Sequence, residues 1–67
     1  MPKVKINGKE KTIRSLKCMK ELLDDLGIDP SRVAVELNGQ VLKREQFEST
    51  ELSDGDVIEI VRFVGGG

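Results

Sequence analysis

Apolar and polar residues alternate along Pro2–Ile13, with Val4 and Ile6 interleaved between Lys3, Lys5 and Asn7. A period of two marks a strand with one wet face. Asn7-Gly8 then supplies the positive φ angles that a tight hairpin requires, and the return strand carries Ile13 inward. The same grammar recurs in VAVELNGQVL, where Val33, Val35 and Leu37 share a face, Asn38-Gly39 turns the chain, and Val41 or Leu42 continues in a short partner strand. Between these two hairpins the period changes. Met19, Leu22, Leu23 and Leu26 fall at i, i+3, i+4 and i+7, the spacing of one buried helical stripe. Gly27 stands where a left-handed C-terminal cap belongs, and Asp29-Pro30 forbids further helix. The start has two candidates: Ser15 has the better capping side chain, whereas Cys18 directly precedes the stripe and leaves a helix of about two turns.

Beyond the second hairpin, KREQFEST has no sustained period and reads as a loop or a single helical turn anchored by Phe47. Leu52 resumes the core, Ser53–Asp56 forms a polar turn, and Val57–Val64 is the most strand-like stretch of the chain. The expected order is strand, strand, helix, strand, short strand, loop, strand. A hairpin is not stable alone and the helix has one apolar stripe, so the helix must cover one face of a mixed sheet of four to five strands. This is an α+β, ubiquitin-like β-grasp, with the last strand central and parallel to the first. The expected division is a β-grasp domain over 1–64 and a flexible glycine tail over 65–67.

Composition narrows the chemistry. Sixty-seven residues hold one small core, and a lone Cys18 cannot staple it. The chain has no histidine, so the usual zinc site and the commonest general base are both missing, and catalysis by this chain alone is not expected. Eleven basic residues against twelve acidic ones give no reason to expect nucleic acid or an anionic membrane as partner. The single thiol and the lack of a signal peptide point to a cytoplasmic setting.

Gly65, Gly66 and Gly67 follow the last strand directly. Such a tail is narrow enough to enter a channel barely wider than the backbone, and it brings a carboxylate at Gly67. A carboxylate is a poor electrophile, so chemistry there needs outside activation, most simply by ATP to an acyl-adenylate. Gly67 is thus the expected reacting residue, with Gly65 and Gly66 as the inserting arm. Val61 and Phe63, on the face of the last strand opposite Ile58 and Ile60, are candidates for docking a partner unless a bend returns Phe63 to the core. Cys18 reads first as a structural residue, and as a sulfur-relay thiol only second. Glu21, Asp24 and Asp25 read as a solvated helix face, with Lys20 and Asp24 spaced to pair.

RVAVELNG at Arg32–Gly39, the turn and strand DGDVIEI at Asp54–Ile60, and the VGGG ending together resemble the ThiS family, over nearly the whole chain. The DGDVIEI turn and strand alone is also similar to the molybdopterin-synthase small subunit (MoaD). The resemblance implies a sulfur carrier of thiamine biosynthesis that catalyses nothing itself and binds no cofactor. A ThiF-type adenylyltransferase would use ATP to activate Gly67, and a persulfide donor such as a cysteine desulfurase would supply sulfur in place of AMP. The thiocarboxylate would then serve a ThiG-type thiazole synthase. Two alternatives use the same tail: a molybdopterin-synthase small subunit and a ubiquitin-like modifier. The chain departs from the family pattern at Leu42–Glu45, where many relatives carry a proline, and at Cys18, where threonine often begins the helix.

Overall fold

The computed structural model describes residues 1–15 and 17–63. The strands are β1 (Lys3–Ile6), β2 (Lys9–Thr12), β3 (Val33–Leu37), β4 (Gln40–Leu42) and β5 (Val57–Arg62). One α-helix, α1 (Met19–Asp25), and two 3-10 turns, Pro30–Arg32 and Arg44–Gln46, complete the elements. The sheet order is β2-β1-β5-β3-β4. As expected, β5 is central. It runs parallel to β1, with Lys5 beside Val57, and antiparallel to β3, from Val33 opposite Arg62 to Leu37 opposite Ile58. This is the β-grasp arrangement, with five strands.

Both hairpins turn as their Asn-Gly pairs dictate. Asn7 and Gly8 have φ of 50° and 83°, Asn38 and Gly39 of 51° and 85°, so both central residues of each turn are left-handed. That is the type I′ signature, whose twist matches the flanking strands.

The helix stripe is buried as its spacing predicts: Met19, Leu22 and Leu23 pack with Val4, Val33, Val35, Ile58 and Ile60 on one face of the sheet, and Leu26 is partly buried against them. Phe47 and Leu52 close the same core, and no described residue buries a polar side chain. In β4 it is Leu42, not Val41, that packs against the core.

The two ends of α1 are made differently. At the C-terminal end Gly27, at φ 72°, donates to the Asp24 carbonyl at 3.0 Å while Ile28 donates to that of Leu23 at 2.9 Å. This is the paired bonding of a Schellman cap. At the N-terminal end Cys18, not Ser15, is the capping residue, and Glu21 Oε1 accepts the Cys18 N–H at 3.1 Å. The next two N–H groups find tertiary acceptors, Met19 to Thr50 O at 2.9 Å and Lys20 to Phe47 O at 3.0 Å. The 47–52 loop therefore does the work that a Ser15 hydroxyl would have done.

Candidate functional site: the open sheet face and the end of β5

With α1 on one face, the other face of the sheet is left uncovered. Cross-strand register gives its layout. Lys3 and Lys5 lie on β1, and Lys5 stands beside Val57 of β5. Glu59 is opposite Glu36, which is in turn opposite Val41 of β4. Val61 is opposite Ala34. The face thus passes from basic at the β1 side, through a pair of carboxylates, to apolar where β5 ends.

Val61 and Phe63 both stand in this exposed region, at 61% and 64% of full exposure. The period of two that buries Ile58 and Ile60 turns Val61 outward. Phe63 continues the pairing by one residue, donating its N–H to Arg32 O at 3.0 Å, so no bend returns its ring to the core. The ring borders a shallow hollow of about 300 Å³ whose wall includes Gly27, Ile28, Arg32 and Arg62. Asp29 lines the same hollow and pairs with Arg32 at 3.5 Å, so it is chiefly Arg62 beside the exposed aromatic and branched side chains that suits a protein surface with apolar and acidic groups. Gly65, Gly66 and Gly67, the residues expected to insert and react, lie outside the described residues, as does Val64.

The other residues singled out from sequence fall elsewhere. Cys18 is half-buried at the N-terminal end of α1, beside Glu21, Glu48 and Glu51. Phe63 borders the turn at the helix's other end, so Cys18 and the end of β5 lie a helix length apart, about 10 Å of rise. The acidic helix face is engaged locally: Lys20 pairs with Asp24 at 3.1 Å, Lys17 pairs with Asp25, and Glu21 caps the helix. The Asp24 carboxylate raises the pKa of Lys20, and the Cys18 N–H lowers that of Glu21. These are the marks of a solvated face that stabilises its own helix. Lys3 pairs loosely with Glu10 across the first hairpin, at 3.8 Å.

Comparison with known proteins places this scaffold. The sequence model described as the ThiS family matches residues 4–67. A sulfur carrier protein ThiS from Bacillus subtilis is 38% identical over 65 residues, covering 96% of this chain and 98% of that one. The chain belongs to the ThiS family. Its fold agrees: a crystal structure of the thiamine biosynthesis protein ThiS from Geobacter metallireducens superposes with a TM-score of 0.84 at 41% identity, covering 97% of this chain and 99% of the other. A thiazole synthase from Paramagnetospirillum magneticum is 38% identical over 65 residues, and there the chain spans only 20% of the longer protein. ThiS-like sequence therefore occurs both as a chain of this size and as a segment of a longer one.

Two features of the site were not read from the sequence. Arg32 and Arg62 converge beside Phe63 only because β3 and β5 pair in this register. Asn7 and Asn38, read as turn residues alone, also send their side chains to β5. Their partners are 53 and 19 residues away, and no local pattern signals such a bond.

Proposed function

We propose that this chain is a sulfur carrier serving thiazole formation in thiamine biosynthesis, with Gly67 as the residue that carries the sulfur. The observation that carries the reading is the near end-to-end similarity to a sulfur carrier ThiS, in a family match that extends through the glycines. The fold supports it: β5 is the central strand, held on both sides, and the glycines follow it in sequence. A ThiF-type adenylyltransferase would bind the open face through Val61 and Phe63 and admit the side-chain-free tail. The Gly67 carboxylate attacks the α-phosphate of ATP and pyrophosphate leaves. The outer sulfur of a donor's persulfide then attacks the acyl carbon and AMP leaves. A thiol reductant cleaves the resulting acyl disulfide and is itself oxidised to a disulfide, and the released thiocarboxylate delivers sulfide to a ThiG-type thiazole synthase. The thiazole synthase relative, with a ThiS-like segment in its own chain, supports that choice of acceptor. The carrier is a co-substrate and not a catalyst. In this reading it needs no bound cofactor, because the activating enzyme holds ATP, and it works in the cytoplasm beside these enzymes.

The test is intact-mass analysis of the native chain after incubation with ATP, a ThiF-type adenylyltransferase, a cysteine desulfurase with its cysteine substrate, and a thiol reductant. Adenylation followed by replacement of one terminal oxygen by sulfur is expected, and deletion of Gly67 abolishes both without altering the fold. A native chain that is never adenylated or thiocarboxylated by any such enzyme would overturn the proposal. Stable isopeptide conjugates would instead favour the modifier reading, and copurification with a tight large subunit would favour the molybdopterin-synthase reading.

A further inference from the structure

The pairing of β5 is lopsided along its length. On one side β3 accompanies it through Arg62, and the Phe63 N–H extends that contact. On the other side β1 matches only Val57 and Ile58, because the chain turns away at Asn7-Gly8. Ile60 would therefore present its N–H and carbonyl to a missing strand, although it is only 8% exposed. Asn7 fills the place. Its Oδ1 accepts the Ile60 N–H at 2.7 Å and its Nδ2 donates to the Ile60 carbonyl at 3.0 Å. A primary amide has the same donor and acceptor spacing as a peptide group, so one side chain supplies two ladder bonds past the end of β1. The complementary donor and acceptor of Ile60 also fix the orientation of the Asn7 amide.

Asn38 provides an internal comparison. It occupies the same position of the other Asn-Gly turn, with the same φ, and its Oδ1 accepts the Val57 N–H at 2.9 Å while its Nδ2 reaches Asp56 Oδ1 at 3.0 Å. Asn38 thus secures the beginning of β5, and Asn7 secures its second half at Ile60. We infer that Asn7 is a positioning residue for the carrier reaction: by bonding Ile60 on the side that β1 has vacated, it fixes the direction in which residues 61–63 lead into the glycine tail. The inference rests on the function proposed above. Without that amide, the strand before the tail is held by β3 along one edge only, and it can pivot about that line.

The test compares Asn7→Gly with Asn38→Gly in the full chain. Glycine keeps the left-handed turn in both and deletes only the side chain. Amide hydrogen exchange needs no partner: Asn7→Gly should raise exchange at Ile60 about tenfold more than at Val35, the loss of roughly one buried hydrogen bond. With a ThiF-type adenylyltransferase, Asn7→Gly should lower kcat for acyl-adenylate formation about tenfold at nearly unchanged KM, since the docking face is intact and the tail is misaimed. Asn38→Gly should lose comparable thermal stability and retain kcat. Asn7→Asp, which keeps the acceptor for the Ile60 N–H and loses the donor, should give an intermediate kcat, and it decides the matter against Asn38→Asp if Asn7→Gly does not fold. Equal kcat losses at the two positions, or undiminished kcat in the Asn7 variants, overturn the role of Asn7. An inert native chain overturns the carrier reading itself.

Discussion

The two faces of the sheet are built from the same strands and have opposite duties. On the covered face, Val35, Ile58, Leu22 and Leu23 are wholly shielded, and every described apolar contact there serves the fold. On the open face Val61, one residue along from buried Ile60, Phe63 just past the end of β5, and Val41 beside the partly buried Leu42 remain at 61%, 64% and 69% exposure. A branched or aromatic side chain left in water gains little for stability. The difference teaches that in a domain with one helix, the second sheet face is the area free to be specified by a partner.

Truncating one residue on each face separates their duties most severely. Leu22→Ala should cost about 2–5 kcal/mol, because a fully buried stripe position leaves a cavity that a small core cannot refill. In urea the midpoint should fall at a roughly constant slope. If Val61→Ala cost as much, the open face would be part of the core and the division would be wrong.

Next in size is Gly27→Ala, at the Schellman cap. No heavy atom lies within 4 Å of the added carbon, so the expected cost of about 1–2 kcal/mol comes from φ 72° alone. Gly27→Asn should recover part of it, since asparagine tolerates this region better, and equal melting temperatures for the two variants would show that the cap is not strained in this way.

Phe63→Ala probes the open face. Stability should change by no more than ~0.5 kcal/mol, whereas adenylation should slow through a raised KM. A large fall in melting temperature with normal adenylation would assign Phe63 to the fold.

The smallest effect concerns acid. The Cys18 N–H holds Glu21 below its ordinary 4.5, and the Ser31 N–H and hydroxyl hold Asp29 below its ordinary 3.8. A carboxylate with a lowered folded pKa stabilises fully above its unfolded value and loses that contribution as pH falls through the folded one. The deficit of Glu21→Gln relative to the native chain should therefore be present at neutral pH and shrink below pH 4.5. A deficit independent of pH would mean that the Glu21 charge adds nothing to the cap.

Much of this architecture was legible in the sequence because its signals are local. Asn-Gly pairs demand left-handed turns, Met19, Leu22, Leu23 and Leu26 recur at helical spacing, and Gly27 with Pro30 ends the helix whatever surrounds it. The open choice at the helix start was settled by distant groups: Cys18 is the cap because the carbonyls of Phe47 and Thr50 arrive there. Of the candidate site, the alternation along β5 placed Val61 outward, but the fate of the Phe63 ring depended on whether β3 continued beside it. Gly65–Gly67 are prominent in sequence for what they lack, and their role remains a proposal about chemistry.

Periodicity, turn propensity and caps act over a few residues, so the chain alone specified the order of strands and helix and the buried face of β1, β3 and β5, while β2 is exposed throughout and the inward residue of β4 stayed open between Val41 and Leu42. Only the tertiary structure decided how β5 is held: Asn7 reaches Ile60 across 53 residues, and Arg32 and Arg62 meet beside Phe63 through strand register. Such bonds form between groups that the chain brings together only after its core has closed, so no short-range pattern can encode them.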